Sequence, residues 1–265
     1  MQSSPHNIIS WNVNGLRAVI KKDPEIFNTI IKQYEVDIIC LQETKIQCIH
    51  ESKMPIPPGF KPYWCSSTVK KGYSGVAILV KENIEIESID CDSEFKDEIE
   101  EGRILCISFA DFHLVNVYVP NSGMELGRID YRTGVWDIKL QNYIKNLNET
   151  KSVIICGDFN IAHLPIDFYN PKKYSQKSAG LTEIERAGFQ SILDAGFIDT
   201  YRYLYPDVAD KFSYWSAKTK ARPQNKGMRI DYFLCSSEFI NNVVESNMLC
   251  DIMGSDHCPI LLSIK

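Results

Sequence analysis

Asp158 and Asn160 stand two residues apart at the end of an apolar run, KSVIICGDFN over residues 151–160. Val153, Ile154 and Ile155 predict a buried strand, and Gly157 marks its end. On extended backbone, residues two apart share a face, so this strand delivers an ionisable acceptor beside an amide that donates and accepts. The design recurs at residues 8–11, a predicted strand that runs into Asn12, Val13, Asn14 and the turn glycine Gly15. A third predicted strand, residues 37–41, has Glu43 just past its end, where a carboxylate is costly unless a cation or metal ion faces it. Tyr118 and Asn121 close the predicted strand 113–119, Asp231 lies in the run 229–234, and Asp256 and His257 sit side by side between Gly254 and Pro259, where no helix can run. Asx-turns and helix-start charges account for any one of these positions alone. Taken together, Asn12, Glu43, Tyr118, Asp158, Asn160, Asp231 and His257 suit metal-assisted hydrolysis. They offer oxygen ligands for a hard divalent ion, a carboxylate to align water and a histidine to meet developing phosphate charge.

The elements that must position them read as an α/β pattern. Asp23-Pro24 is expected to open a helix as N-cap and N1, with Ile26, Ile30, Ile31 and Tyr34 on one stripe. Residues 75–80, 104–109 and 113–119 are predicted as successive strands of one antiparallel sheet, with an exposed acidic excursion between the first two. Residues 129–147 carry helical spacing, and a second helix over 182–195 opens with a capping box of Thr182 and Glu185 and closes at Gly196. Between Asn160 and Thr182 lies a long loop, and loops of that length usually serve function. Residues 212–215, 229–234 and 260–264 supply the last strand-like runs.

With 265 residues, 44% of them apolar and no Pro/Gly/Ser-rich linker, the chain is expected to form one domain over residues 1–265. No run approaches the ~18 apolar residues of a membrane span, and MQSSPHNIIS has neither the basic nor the apolar segment of a secretion signal. Nine cysteines, odd in number, without a CxxC pair and mostly in apolar runs (Cys40, Cys106, Cys156, Cys235), suggest an intracellular protein lacking disulfides and zinc. The net charge of −5 hides a polarity: residues 82–101 hold ten acids against Lys96, a balance of −9 that leaves +4 for the rest. Lys218, Lys220, Arg222, Lys226 and Arg229 form an acid-free basic loop, and Arg17, Lys21, Lys22, Lys45, Lys70 and Lys71 form smaller clusters suited to a polyanion.

SWNVNGLRA (10–18), LQETK (41–45), GYSGVA (72–77), VYVPNSG (117–123), CGDFNIAH (156–163), GLTEIERAGF (180–189), RIDYF (229–233) and MGSDHCP (253–259) together resemble the exonuclease III family of apurinic/apyrimidinic endonucleases. The resemblance spans residues 8–264 in the family's order. It implies a four-layer α/β sandwich of two mixed sheets flanked by helices, acting on double-stranded DNA that contains abasic sites. The implied reaction is Mg²⁺-dependent incision 5′ of the abasic site, with Mn²⁺ as a substitute, and with 3′-phosphodiesterase and 3′→5′ exonuclease side activities. The implied metal set is Glu43 with Asn12, Asp256, Asp158, Asn160 and His257. Asp158 would deprotonate the attacking water, Asn160 would hold water or phosphate, and His257, oriented by Asp231 or Asp256, would donate to the scissile phosphate beside Tyr118 and Asn121. Arg17, Lys45, Tyr73, Asn121, Met124, Trp215, Lys220, Arg222 and Met228 are expected to face DNA. Met124 and Met228 stand where the animal enzyme has arginine and tryptophan, and Asn14 where animal relatives have aspartate and bacterial ones asparagine. A monomer is expected, in the nucleus of a eukaryote or the cytoplasm of a prokaryote. Nonspecific nucleases, inositol-phosphate phosphatases and sphingomyelinases share the superfamily, but the GLTEIERAGF segment and the basic loop fit the DNA-repair branch. A non-catalytic binding module would be expected to lack Glu43, Asp158 or His257, and all three are present.

Overall fold

A computed structural model describes residues 6–91, 95, 101–173 and 177–265. In chain order the principal elements are β1 (Asn7–Asn12), α1 (Leu16–Lys22), α2 (Ile26–Tyr34), β2 (Ile38–Gln42), β3 (Phe60–Cys65), β4 (Val76–Lys81), β5 (Ser88–Cys91), β6 (Ile104–Ser108) and β7 (Phe112–Tyr118). There follow α3 (Ile129–Tyr131), a π-helical turn (Arg132–Trp136), α4 (Asp137–Asn148), β8 (Ser152–Asp158), α5 (Glu183–Asp194), β9 (Phe197–Asp199), α6 (Thr200–Leu204), β10 (Asp231–Ser236), β11 (Val243–Met248) and β12 (Ile260–Ile264).

The strands form two six-stranded sheets, one ordered β11-β12-β1-β2-β4-β3 and the other β5-β6-β7-β8-β10-β9. Each has one parallel pair, β1 with β2 and β7 with β8, and parallel neighbours need a crossover, supplied by α1–α2 and by α3–α4. Strand alternation sorts the core. Ile8, Ile38, Cys40 and Ile78 of the first sheet meet Leu114, Ile154, Cys156 and Phe233 of the second in a common interior. Their odd-numbered neighbours in β1, β2 and β4 face outward under Leu16, Val19, Phe27 and Ile30, while Val115, Val117, Val153 and Ile155 face Trp136, Leu140, Ile144 and Phe189. The result is a helix–sheet–sheet–helix sandwich, so the central strands are buried on both faces and read as continuous apolar runs.

Strand ends collect at one mouth. Asn12 and Gln42 end the parallel pair of the first sheet in register. In the second sheet Asp158 lies level with Tyr118 on one side and Asp231 on the other, which forms a row across three strands. Gly157 is required there, because a Cβ at its φ of 138° would lie 1.9 Å from the carbonyl oxygen of Val117.

Several expectations need correction. The helix does not open at Asp23-Pro24. α1 precedes it, Asp23 ends α1 and accepts from the Glu25 N–H at 3.0 Å, and α2 begins at Ile26. The strand at residues 75–80 is β4, which pairs with β2 and β3 in the first sheet, so the chain changes sheets within the acidic stretch. Residues 92–94 and 96–100 of that stretch lie outside the described residues. Of the remainder, Ile84, Phe95 and Glu101 are buried, and Glu101 pairs with Arg103 at 2.5 Å and Arg128 at 3.4 Å. Residues 212–215 make only isolated bridges, Tyr214 pairing with Met228 and His257. The expectation of no disulfide also fails: Cys65 and Cys91 are bonded, joining edge strands β3 and β5 of opposite sheets, a proximity set by the sandwich and hidden by their separation of 26 residues.

Arg229 does not belong to a DNA-facing loop. Its guanidinium is buried and donates to Asp167 at 2.8 and 3.0 Å and to Asp199 at 2.7 Å, while Arg202 shares Asp167 at 2.5 Å. This network pins the loop after Asn160 onto the second sheet. Arg229→Ala would leave Asp167 and Asp199 buried and short of a counter-charge, and is expected to cost about 3–5 kcal/mol of stability in urea unfolding. A variant of wild-type stability would return Arg229 to the surface.

Candidate active site

The side chains at the mouth form a continuous polar network. One Asn12 Nδ2 group donates to Asp158 Oδ2 at 2.8 Å and to Glu43 Oε1 at 3.0 Å, and Asn12 Oδ1 accepts from the Asn14 N–H at 3.0 Å. Lys45 pairs with Glu43 Oε2 at 3.0 Å and donates to Asn14 Oδ1, while Asn14 Nδ2 donates to Asp256 Oδ1 at 3.0 Å. Asn14, Glu43, Lys45 and Asn160 all have left-handed backbone, with φ of 45–55°, so the chain turns sharply as it leaves three strands and turns its polar groups back over the mouth.

His257 Nδ1 lies 2.8 Å from Asp231 Oδ2, and its Nε2 lies 3.9 Å from Asp158 Oδ2. Asp231 is therefore the carboxylate that orients the ring, and Asp256 accepts from Asn14 and Ser255 instead. Tyr214 packs against the imidazole, with ring centroids 4.8 Å apart, and the Trp11 indole N–H donates to the His257 carbonyl. Asn160 N–H donates to Asp158 Oδ1 at 2.8 Å, Asn160 Nδ2 to Val119 O at 2.9 Å, and Asn121 Nδ2 to Asn160 Oδ1 at 2.8 Å. Glu43, Asn121, Asp158, Asn160, Asp256 and His257 line a cavity of about 340 Å³ that also touches Tyr118, Gly180, Tyr214, Met228 and Ile230.

Burial and mutual charge separate the acids. Burial and then the Asp231 charge push Asp158 up to about 7, against the pull of His257. Burial would lower His257, but the charge and hydrogen bond of Asp231, with Asp158 and Asp256, carry it to about 10, so the ring is an imidazolium at neutral pH. For Glu43 burial is outweighed by Lys45 and Asn12, and its carboxyl is lowered. Tyr118, desolvated and facing Glu43, is raised well above 10 and stays a donor.

Glu43, Asp158, Asp231 and Asp256 bring four carboxylates around a site whose nearby cations are Lys45 and His257. Asp231 Oδ1 is buried with no hydrogen-bond partner among the described residues. A hard divalent ion fits this donor set: oxygen ligands predominate, and added positive charge would relieve the like-charge repulsion that raises Asp158. Among the described residues, ligand atoms of Asp158, Asp231 and His257 lie within 4.8 Å of one another, and Asn12 links Asp158 to Glu43.

The expected DNA-facing residues divide. Arg17, Met124 (93% exposed), Asn121 and Lys220 are exposed, and Lys220 borders a second cavity of about 330 Å³ beside Asp256. Tyr73 is half-buried, its hydroxyl accepting from Arg103 and Arg128. Trp215 is 3% exposed and donates to Asn225, so it is a core residue and not a contact surface. Arg222 is committed to the carbonyls of Cys250, Ile252 and Ser255 and stacks on Trp215.

Sequence reasoning missed Tyr214 and the buried braces. Arg132 donates to the carbonyls of Pro120 and Phe159, next to Asn121 and Asn160. Glu185 accepts from Ser122, Gly180 and Thr182, so the capping box also ties the GLTEIERAGF segment to the Asn121 turn. The capping motif signalled a helix start; its second partner, Ser122, is far away in sequence.

Because the folded-state His257 lies above its ordinary 6.5, its contribution to stability is fully present below pH 6.5 and is lost as pH rises through about 10. Asp158, whose folded-state value is also raised, acts in the same direction at lower pH, its cost growing as pH rises from 3.8 to about 7. Asp231→Asn should lower the His257 pKa, read by imidazole NMR titration, and flatten the alkaline part of the stability curve. An unmoved His257 titration would show that Asp231 does not hold the proton.

Residues 9–257 match the model of the endonuclease/exonuclease/phosphatase family. The chain is 42% identical to an exodeoxyribonuclease of Bacillus subtilis (strain 168), over 97% of this chain and 99% of that protein. It is also 42% identical to the DNA repair nuclease APEX1 of Danio rerio, over 96% of this chain and 81% of that one. Its fold superposes on the crystal structure of the AP endonuclease LMAP from Leishmania major with a TM-score of 0.88, at 30% identity, covering 98% of this chain and 87% of that one. With a carboxylate–histidine pair and a bridged set of oxygen donors at the mouth of its two sheets, this chain belongs to the endonuclease/exonuclease/phosphatase family, in the branch of exodeoxyribonucleases and AP endonucleases.

Proposed function

We propose that the protein is a DNA-repair nuclease that hydrolyses the phosphodiester on the 5′ side of abasic sites with the aid of Mg²⁺, leaving a 3′-OH, and that it also trims 3′ ends. The observation that carries this reading is the row Tyr118, Asp158, Asp231, with His257 held by Asp231 and facing the cavity that Tyr118 and Asp158 line, which matches acid, base and donor groups to an in-line attack on phosphorus. Glu43 and Asp158, with Asn12 beside them, would hold Mg²⁺, which would supply charge that neutralises a phosphate oxygen.

The chain's own groups do the rest. Asp158, held at Oδ1 by the Asn160 N–H and at Oδ2 by Asn12, is fixed in rotamer and takes the proton of the attacking water once ionised. His257, kept charged by Asp231, and the Tyr118 hydroxyl meet the negative charge that develops on the phosphoryl oxygens. Asn121 and Asn160, locked to one another, border the space for the sugar-phosphate. Tyr214, Met228 and Ile230 provide an apolar wall for an everted sugar that has lost its base.

A duplex carrying a tetrahydrofuran abasic analogue should be cut on its 5′ side, stopped by EDTA and restored by Mg²⁺ or Mn²⁺; an intact duplex under these conditions defeats the proposal. Asp158→Asn should bind the same duplex and lose about 10² to 10⁴ in incision rate. Met228→Trp should sharpen discrimination in kcat/KM against a base-bearing nucleotide by about 1–3 kcal/mol, and Met228→Ala should relax it. Parallel shifts for both substrates would make Met228 a packing residue only.

A further inference from the structure

The row of Tyr118, Asp158 and Asp231 has a fourth member. β6 and β7 pair with Ile104 opposite Val117, and one step further along this antiparallel register Arg103 stands opposite Tyr118, whose N–H donates to the Arg103 carbonyl at 2.8 Å. Residues so opposed share a face of the sheet, and the Arg103 guanidinium reaches over the Tyr118 ring, its carbon 4.6 Å from the ring centroid. The same guanidinium donates to the Tyr118 carbonyl at 3.0 Å, to the Tyr73 hydroxyl at 2.8 Å and, through Nε, to Glu101 at 2.5 Å. One residue thus holds Tyr118 by its N–H, its carbonyl and the face of its ring. Arg103 is itself fixed. Gly102 before it has a φ of 63°, and a Cβ there would lie 2.5 Å from the carbonyl oxygen of Cys65, so the chain is pressed against the end of β3 in the first sheet. Neutralising Glu101 does not demand this placement, because Arg128 reaches the other carboxylate oxygen at 3.4 Å.

We propose that Arg103 is the positioning residue of the Tyr118 hydroxyl, fixing where that donor meets the scissile phosphate without touching the substrate itself. Buried behind the ring, Arg103 does not line the cavity that Tyr118, Glu43 and Asp158 share, so it acts on that space only through Tyr118. A phenol turns about two side-chain bonds, and its hydroxyl, at the far end of a rigid ring, magnifies any rotation. The cation on the ring face opposes tilting of the ring, and the bonds to the N–H and carbonyl keep the backbone at Tyr118 from twisting. Arginine suits the task better than lysine, because its planar fork can bond Tyr118, Tyr73 and Glu101 at once while its flat face covers a ring. Placement matters to the rate, since a misplacement of about 1 Å can cost about 10². The role of Tyr118 rests on the endonuclease reading above; the hold on its ring does not.

The test removes the buried pair together, Arg103→Met with Glu101→Gln, because stranding one charge costs more than replacing both. Should that protein fail to fold, Arg103→Lys, which keeps the charge and loses the fork, takes its place with the same readouts. On the abasic analogue with Mg²⁺, kcat should fall about 10- to 100-fold while KM stays within about threefold. In a Tyr118→Phe background, where no hydroxyl is left to place, the same change should cost less than about threefold, the non-additivity of two residues acting as one unit. A second readout needs no activity. In protein with ¹³C-labelled tyrosine rings, the resonance that vanishes in Tyr118→Phe should move or broaden when Arg103 is replaced. Equal losses of kcat in the Tyr118 and Phe backgrounds would overturn the proposal, as would a rise in KM alone or a Tyr118 resonance that stays in place. A wild-type protein that never incises would overturn the endonuclease reading instead, while the ring resonance would still report whether Arg103 holds Tyr118.

Discussion

A single amide nitrogen ties the two halves of the molecule together at the mouth of the two sheets. Asn12 belongs to the first sheet and Asp158 to the second, and Nδ2 of Asn12 spends one hydrogen on each of two carboxylates, Asp158 and Glu43. Two acids desolvated so close together repel, and a shared neutral donor is the cheapest group that can hold them at a fixed spacing. Just beneath, Asn116 of the second sheet donates to the carbonyls of Leu41 and Ala77, and Gln42 donates to Asn116 and Ser10. These buried amides sit in an otherwise apolar interior, where directional bonds fix the sliding register that apolar packing leaves free.

With the register fixed, environment assigns different states to like groups. Asp158 and Glu43 are both carboxylates lining one cavity, yet Asp158 is pushed up to about 7 while Glu43 is lowered by Lys45 and Asn12. His257 draws its charge from Asp231. Pairs of titratable groups whose surroundings drive their pKa values apart are how one site holds a base and an acid at the same pH.

Arginine supplies much of the rigidity. Arg132, Arg222 and Arg229 each place a planar guanidinium where several oxygens converge: the carbonyls beside Asn121 and Asn160, the carbonyls of the Cys250–Ser255 turn, and the carboxylates of Asp167 and Asp199. Loops that would otherwise expose unsatisfied backbone are fastened to the sheets, and the side chains they carry are pre-set. Two residues of the basic run 218–229 therefore serve the protein itself, and Lys218, Lys220 and Lys226 are the ones left exposed.

The sequence alone determined the alternating strand and helix pattern, the capping box at Thr182, and the strand-end positions of Asn12, Glu43, Tyr118, Asp158, Asp231 and His257. Those features are local, set by spacing along a few residues of chain, and they survive wherever the strands are placed. Only the tertiary structure decided which sheet β4 joins, that Asp231 and not Asp256 orients His257, that Trp215 and Arg229 are interior, that Tyr214 walls the cavity, and that Cys65 meets Cys91. Each of these depends on contacts between segments far apart in the chain. A charge or an aromatic ring carries the same letter whether it faces water or fills a gap between two sheets, so the packing had to be known before its role was.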